Sequence, residues 1–271
     1  MIGAIIGDIA GSRFEFNNHR SKDFRFFHHR CEFTDDSVMT IALAQAILDC
    51  QGDYTDLSVK AIKRMREFGQ NYPRAGYGGG FYSWLFTPEP MPYNSCGNGA
   101  AMRISAAGFA ARTLEECKDM SRKVTEVTHN HPDGILGAEA TAVCIFMARH
   151  GAAIPEIRKV FTEQYYPIDF TIDGIRPVYP WGALCSNTVP QALEAFFEST
   201  GYEDAIRNAI SIGGDSDTIA AITGGVAEAY YGVPDELREQ AVSYLTPDLK
   251  EVIAAFEAAF PWQKPVRPEE A

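Results

Sequence analysis

The spacing of apolar residues along the chain predicts helices far more often than strands. Within 56–68 the apolar side chains fall on one helical face, namely Leu57, Ala61, Met65 and Phe68. The segment 247–260 repeats this i, i+3, i+4, i+7 pattern. Clean alternation with a period of two over five or more residues is hard to find. The pattern therefore predicts an all-α fold of roughly ten to thirteen helices.

Residues that favour helix starts support these assignments. Thr246 and Pro247 supply an N-cap and a first-turn proline for the segment that follows them. Thr113 and Glu116 have the spacing of a capping box, in which each residue satisfies an N–H of the other. Pro155 is suited to the first turn of a further helix.

Three glycines near the start of the chain, Gly3, Gly7 and Gly11, are spaced four residues apart. If 1–11 is helical, they lie on one face and allow a second helix to approach closely, because no Cβ stands between the backbones. A partly buried strand is the alternative for this segment. We expect a helix-packing surface here.

Three segments lack a helical pattern, namely 12–36, 70–98 and 166–189. Long irregular segments inside a compact domain usually carry function. We therefore expect them to line the functional site. No linker divides the chain, which predicts one domain over 1–262 and a loose C-terminal tail over 263–271.

The charge of the chain narrows the classes of partner. Acidic residues outnumber basic ones by 36 to 24, for a formal charge of −12. This argues against general binding to nucleic acids or to anionic membranes. The absence of a basic leader, of long apolar runs and of C-x-x-C pairs among six cysteines predicts a cytoplasmic protein with reduced thiols.

Two acidic clusters lead directly into apolar runs. The sequences are FTDDSVMT (33–40) and GGDSDTIAA (213–221), and no Lys or Arg occurs between Arg207 and Arg238. Buried carboxylates need a partner, so it must come from elsewhere in the fold or be a cation. Carboxylate and hydroxyl oxygens suit Mg²⁺ or Mn²⁺, and two clusters could hold two ions. The alternative for each cluster alone is a helix N-cap.

Glycine-rich segments and a histidine complete the candidate site. GYGGG (76–80) and SCGNG (95–99) can present backbone N–H groups to a phosphate, although ordinary tight turns are the alternative for each. Neither ends in the Lys-Ser/Thr of a P-loop. His129, in THNHPDG, fits no zinc motif and is expected to contact substrate or to be structural. A phosphatase-type use of D-x-D-T would require alternating strands and helices, which the pattern does not predict.

Taken in order, these motifs resemble the ADP-ribosylhydrolase family. The motifs are GDIAGSRFE (7–15), FTDDSVMT (33–40), GYGGG (76–80), SCGNGAAMR (95–103), the TH pair at 128–129 and GGDSDTIAAITGG (213–225). The resemblance implies a compact, single-domain orthogonal bundle of helices. It also implies a cleft that holds two magnesium or manganese ions.

The resemblance assigns roles to individual residues. The implied metal ligands are Thr34, Asp35 and Asp36 on one side and Asp215, Asp217 and Thr218 on the other. Glu15 would reach the metal centre and the scissile bond, and either Glu15 or Asp36 would be the catalytic base. The implied substrate-binding residues are Gly78, Gly79, Gly80, Ser95, Cys96, Gly97, Asn98, Gly99 and His129.

The implied activity is metal-dependent hydrolysis of the glycosidic bond between ADP-ribose and a protein side chain. Arginine is the favoured acceptor, with serine-linked ADP-ribose and O-acetyl-ADP-ribose as alternatives. The partner would be an ADP-ribosylated protein or an ADP-ribose derivative. A catalytically inactive, ADP-ribose-binding relative is a further alternative, but such a protein is expected to have lost acidic ligands that are all present here.

Overall fold

Helices are the regular elements of the structure. A computed structural model of the protein describes residues 1–267. The α-helices in this range are Ile2–Ser12 (α1), Asp35–Asp49 (α2), Leu57–Asn71 (α3), Gly79–Phe86 (α4), Gly99–Met102 (α5), Ser105–Ala110 (α6), Leu114–Thr125 (α7), Pro132–Arg149 (α8), Ile154–Gln164 (α9), Ile172–Ile175 (α10), Val189–Phe197 (α11), Tyr202–Ser211 (α12), Ser216–Tyr231 (α13), Asp235–Tyr244 (α14) and Pro247–Ala259 (α15).

The predicted all-α fold is confirmed, but the predicted number of helices is too low. Residues 1–267 contain fifteen α-helices and one 3₁₀ turn, Cys185–Asn187. The helices α5 and α10 have only four residues each and α6 has six. Elements of one turn are too short to produce a 3.6-residue period, so the sequence pattern does not reveal them. The longer segments predicted at 56–68 and 247–260 are α3 and α15.

The predicted caps lie at the right positions but use different partners. The Thr113 hydroxyl accepts the Glu116 N–H at 3.1 Å, as expected for the start of α7. The Glu116 carboxylate, however, accepts the Arg112 N–H at 2.7 Å instead of that of Thr113. Thr246 precedes α15, but its hydroxyl contacts the Tyr72 hydroxyl at 2.5 Å. For Thr246, the contact with Tyr72, which is distant in the sequence, replaces the local capping hydrogen bond.

The helices α1 and α13 pack against each other at the centre of a single hydrophobic core. A Cβ on Gly7 would lie 2.0 Å from the carbonyl oxygen of Ala220, and one on Gly3 would lie 2.4 Å from that of Gly224. A Cβ on Gly224 would in turn lie 2.2 Å from the carbonyl oxygen of Gly3. The glycine face predicted on 1–11 is thus confirmed, and the segment is a helix.

The three segments expected to be irregular differ in the structure. Residues 13–34 contain no helix or strand. The segment 70–98, in contrast, contains α4, and 166–189 contains α10 and the 3₁₀ turn. These short helices begin among glycine and proline-rich sequence, where an apolar period has no room to develop.

Backbone-directed hydrogen bonds hold the irregular segment 13–34 in place. The Asn18 side chain both donates to and accepts from the backbone of Gly214, each at 2.9 Å. The Arg20 guanidinium donates to the carbonyl oxygens of Ile212 at 2.8 Å and Tyr179 at 2.7 Å. Side chains therefore replace the backbone ladder that a helix or a sheet would provide.

Part of the C-terminal tail contacts the helical body. Pro265 is buried, and the Arg267 guanidinium lies 3.6 Å from the centroid of the Tyr230 ring. Residues 268–271 of the predicted tail lie outside the described residues. Within residues 1–267, none of the helices combines the length and the apolar character that crossing a membrane requires.

Gly7→Ala is expected to lower the free energy of unfolding by about 1–3 kcal/mol, because the new methyl group would overlap the backbone of α13. Urea unfolding followed by circular dichroism measures the change. Gly201→Ala is the matched control, since a Cβ there meets no atom within 4 Å and the φ of 175° is open to any residue. Equal stability of the two variants would contradict the importance of this packing.

Candidate metal centre and cleft

The contact between α1 and α13 brings acidic residues from both ends of the chain together. A Cβ on Gly11 would lie only 2.6 Å from the Cα of Asp217, which lies in the first turn of α13. Asp8 lies on α1 and is fully buried, and Glu15 follows the end of that helix. A close backbone approach thus places three carboxylates in one region.

The start of α2 provides the second group of acids. Thr34 is the N-cap, and its hydroxyl accepts the Asp36 N–H at 3.3 Å. The Asp8 carboxylate accepts the backbone N–H of Thr34 at 2.9 Å, the Thr34 hydroxyl at 2.7 Å and the Ser37 N–H at 3.1 Å. It also accepts from the Ser37 hydroxyl. Thr34 is thus the N-cap of α2, and its hydroxyl also donates to the buried Asp8 carboxylate.

The two predicted acidic clusters meet although they lie far apart in the sequence. The Thr218 hydroxyl donates to Oδ2 of Asp36 at 3.3 Å, across a separation of 182 residues. Oδ2 of Asp215 accepts the Asn98 side-chain amide at 2.7 Å. Oδ1 of Asp217 accepts the Thr218 N–H at 3.0 Å. One hydrogen-bonded group thus joins the starts of α2 and α13 with the glycine segment that precedes α5.

The geometry of the carboxylates fits divalent cations. Asp8, Asp36 and Asp217 offer carboxylate oxygens that all lie within 4.8 Å of one another, and so do Glu15, Asp215 and Asp217. The two sets share Asp217. Oδ1 of Asp36 is buried without a hydrogen-bond partner. An unsatisfied buried carboxylate oxygen within the first of these sets is what an oxygen-binding cation would satisfy.

All the acids of this region have raised pKa values; they are Asp8, Glu15, Asp35, Asp36, Asp215 and Asp217. Burial is the largest cause in each case. It raises the pKa of Asp8 to about 6, and with repulsion from neighbouring carboxylates it raises the pKa of Glu15 to about 7 and of Asp35 to about 8. Burial and mutual repulsion therefore favour the protonated, neutral form of these carboxyl groups.

Protein cations do not neutralise these acids. The ion pairs found between residues 1–267 include none of the six carboxylates. Arg74 and Arg103 line the same cavity without forming an ion pair to them. Because buried like charges repel strongly, the donor set suits bound cations better than an empty state.

A cavity of about 590 Å³ opens above the carboxylates. Its lining includes these predicted site residues: Glu15, Thr34, Asp35, Asp36, Gly78, Gly79, Gly80, Ser95, Gly97, Asn98, Gly99, His129, Asp215, Asp217 and Thr218. Cys96 is the one predicted site residue outside this lining, and its carbonyl oxygen accepts the Cys185 N–H at 3.0 Å. All six cysteines are free thiols, as predicted.

The two glycine segments form different structures. Gly79 and Gly80 begin α4 and do not form the tight turn considered for 76–80, whereas Gly76 has a positive φ of +108°. A Cβ on Gly78 or Gly79 would meet no atom within 4 Å, so their backbones are open to the cavity. The other segment is fixed by an isolated antiparallel bridge between Gly97 and Leu184.

His129 lies in the wall of the cavity and is buried. Its Nδ1 lies 2.8 Å from the Thr128 hydroxyl and 3.1 Å from Nη2 of Arg103. Burial, and then the Arg103 charge, hold the pKa of His129 well below its usual value. The imidazole is therefore neutral near pH 7.

The sequence model of a known family, described as ADP-ribosylglycohydrolase, matches residues 1–265. The chain belongs to the ADP-ribosylglycohydrolase family. This family consists of metal-dependent hydrolases. The predicted family resemblance is thereby confirmed.

Relatives of the chain are similar over most of its length. The ADP-ribosylhydrolase ARH3 of Homo sapiens is 23% identical over 333 residues, covering 92% of this chain and 90% of that protein. The ADP-ribosyl dinitrogen reductase glycohydrolase of Rhodospirillum rubrum is 25% identical over 264 residues, covering 86% and 85%. The ADP-ribosylarginine hydrolase Tri1 of Pseudomonas putida is 25% identical over 268 residues, covering 86% and 70%.

A solved structure shares the fold. An ADP-ribosylglycohydrolase-related protein complex superposes with a TM-score of 0.69 at 20% identity, covering 95% of each chain. At this identity the similarity concerns the fold alone.

Four residues of the site in this ADP-ribosylglycohydrolase were not predicted from its sequence. Asp8 is a buried acid inside an apolar helix, and its position next to the glycine face was a usable signal. Arg103 is a lone cation in the small-residue run that follows SCGNG. Phe16 and Trp181 line the cavity and remain 85% and 53% exposed. Both lie in the segments 12–36 and 166–189 that were expected to line the site, but no pattern marks them individually.

Without metal, the protein is expected to lose stability as the pH rises from 5 to 8. The folded-state pKa values of the site are raised, so the folded chain binds more protons than the unfolded chain in this range. The contribution of these carboxyl groups to stability is thus greatest below their ordinary pKa. It is lost as the pH rises through their pKa values in the folded state. Urea unfolding in chelator should show a decrease of about 1–3 kcal/mol, and Mg²⁺ or Mn²⁺ at pH 8 should reverse it.

Asp217→Asn is the variant that tests the cause. It should be more stable than the wild type in chelator at pH 8, because one repelling charge is gone, and it should lose the stabilisation by metal. Asp169→Asn, at an exposed position, should behave like the wild type. A wild-type stability that does not change with pH would contradict this account of the site.

Proposed function

We propose that this chain hydrolyses the glycosidic bond between ADP-ribose and a protein side chain, with two divalent cations, Mg²⁺ or Mn²⁺, in the centre. The observation that carries the proposal is the pair of carboxylate sets sharing Asp217 at the floor of a cavity. Membership of the ADP-ribosylglycohydrolase family supports the same reaction class. All the predicted acidic positions are present, which argues against a catalytically inactive relative.

The residues that would hold the cations are Asp36, Asp215, Asp217 and Glu15, with the hydroxyls of Thr34 and Thr218. Both carboxylate oxygens of Asp8 already accept hydrogen bonds from the start of α2. We therefore infer that Asp8 orients Thr34 and Ser37 through these hydrogen bonds. Asp35 belongs to neither of the two carboxylate sets but lines the cavity, close to Gly76.

Divalent cations held by these residues would supply positive charge to the substrate and would lower the pKa of a bound water. Glu15 is the better of the two candidate bases, because it is half-buried at the cavity whereas Asp36 is 3% exposed and bonded to Thr218. In the metal-free chain, burial and then the charges of Asp215 and Asp8 raise the pKa of Glu15 to about 7. Glu15 takes a proton from water as the water oxygen bonds to C1″. The C1″–acceptor bond breaks with its electron pair on the acceptor, which leaves with the proton that Glu15 has taken up.

The glycine segments and His129 would bind the diphosphate and the proximal ribose. Gly78 and Gly79 present open backbone at the start of α4, where N–H groups favour anions. Ser95, Gly97 and Gly99 lie in the same cavity. Cys96 has no direct part in this proposal, because its side chain lies outside the lining.

We propose arginine as the acceptor. Phe16 and Trp181 expose large aromatic surfaces in the cavity lining, and Glu32 adds an exposed carboxylate. A guanidinium group stacks on aromatic faces and pairs with carboxylates, which a serine or acetyl acceptor does not do. The name of the Pseudomonas putida relative, an ADP-ribosylarginine hydrolase, supports the same choice.

Release of ADP-ribose from three defined substrates tests the acceptor. Arginine-linked ADP-ribose should be hydrolysed faster than serine-linked ADP-ribose or O-acetyl-ADP-ribose. Phe16→Ala and Trp181→Ala should lower kcat/KM for the arginine substrate, whereas Val59→Ala, at an exposed position on α3, should not. Faster hydrolysis of one of the other two substrates would contradict arginine as the acceptor and would identify that linkage as the preferred one.

Glu15→Gln should reduce kcat by about 100- to 10,000-fold, the usual contribution of a general base. Binding of ADP-ribose, measured by calorimetry with saturating Mg²⁺ or Mn²⁺, should change much less. Glu115→Gln, at an exposed position on α7, serves as the control for loss of a glutamate charge. If Glu15→Gln keeps wild-type turnover, another group accepts the proton.

A further inference from the structure

Arg103 is a buried cation whose role the proposed reaction does not explain. It follows α5, is 1% exposed, and lies with its guanidinium 5.3 Å from the centroid of the Phe81 ring. The ion pairs found in residues 1–267 do not include it. Burying a guanidinium without a carboxylate is unfavourable, so a specific use for its donors is expected.

The Arg103 guanidinium contacts His129 at Nδ1, one of the two ring nitrogens. Nη2 lies 2.6 Å from the Thr128 hydroxyl oxygen and 3.1 Å from Nδ1 of His129. A guanidinium nitrogen donates hydrogen bonds and cannot accept them. Nδ1 must therefore be the accepting nitrogen, and in a neutral imidazole the proton then lies on Nε2.

The other nitrogen of His129 faces the glycine segment of the cavity. A Cβ added to Gly99 would lie 3.3 Å from Nε2, and one added to Gly97 would lie 3.7 Å from it. All three residues line the cavity. The Nε2–H group is thus directed to the place where the backbone of the segment is left open by the lack of side chains.

We propose that Arg103 is a positioning residue that holds His129 as the neutral Nε2–H tautomer, so that this N–H donates to an anionic oxygen of the ligand at Gly97–Gly99. The proposal rests on the proposed function for the identity of the anion, a diphosphate oxygen of ADP-ribose. The fixed charge of Arg103 behind the ring also favours an anion in front of it.

The Thr128 hydroxyl is the competing determinant of the tautomer, because it lies 2.8 Å from the same nitrogen. A hydroxyl can donate or accept, so Thr128 alone permits either tautomer. Arg103→Lys keeps the positive charge but loses Nη2, the one guanidinium nitrogen that contacts both Thr128 and His129. Thr128→Val removes the hydroxyl and leaves Arg103 in place. The two variants separate the contributions.

Nitrogen-15 NMR of the histidine side chains in the full chain reads the tautomer without any turnover. The wild type should show a neutral His129 with the proton on Nε2 at pH 7. Arg103→Lys should show a mixture of tautomers and bind ADP-ribose about 10-fold more weakly by calorimetry, whereas Thr128→Val should keep the Nε2–H form. In a His129→Ala background, Arg103→Lys should change the affinity less than about 2-fold.

An Nδ1–H or a protonated His129 in the wild type would overturn the proposal. So would an Arg103→Lys variant with the wild-type tautomer and affinity, since Arg103 would then act only in packing. If Arg103→Lys does not fold, as judged by circular dichroism, a Thr128→Val chain that switches to Nδ1–H would overturn it, and one that keeps Nε2–H would support it. A wild type that binds no ADP-ribose would count against the proposed function, and the NMR would still decide the tautomer.

Discussion

The close approach of α1 and α13 is the constraint on which the rest of this structure depends. The glycine face of α1 lets the backbones of the two helices touch, with a hypothetical Cβ on Gly7 only 2.0 Å from a carbonyl oxygen of α13. The same approach sets the distance between Asp8 and Asp217, which the two helices carry. Helix packing and the spacing of the carboxylates are therefore coupled, and a larger side chain in this contact would alter both.

The site is assembled at some cost in stability. Six carboxyl groups with raised pKa values, buried or half-buried around one cavity, repel one another, and no ion pair between described residues relieves them. Unfavourable interactions of this kind are common where function determines which residues occupy a site. The large apolar core around α1 and α13 provides the stability that tolerates it.

The sequence predicted the helical fold and the two acidic clusters, because both depend on local signals. Thr34 and Asp36 combine capping chemistry with an apolar run, and the lack of nearby cations indicated a distant partner. Asp8 was not predicted as a site residue, since a single acid in an apolar helix can equally lie at an exposed position or form a structural hydrogen bond. The tautomer of His129 depends on Arg103, 26 residues away, and such a contact leaves no local pattern.

The division between fixed and variable parts of the site follows from which elements carry them. Asp8 lies inside α1, and Asp36 and Asp217 lie in the first turns of α2 and α13, where core packing fixes the backbone. Phe16 and Trp181, in contrast, lie on irregular segments. The side chains of Asn18 and Arg20 hold these segments to each other and to residues 212–214 by hydrogen bonds to backbone carbonyl oxygens. Substitutions of Phe16 or Trp181 can change the surface offered to an acceptor without moving the carboxylates carried by α1, α2 and α13. Glu15 shares the segment of Phe16 and does not belong to this fixed part. Acceptor preference can therefore diverge within this fold while the centre that cleaves the glycosidic bond stays the same.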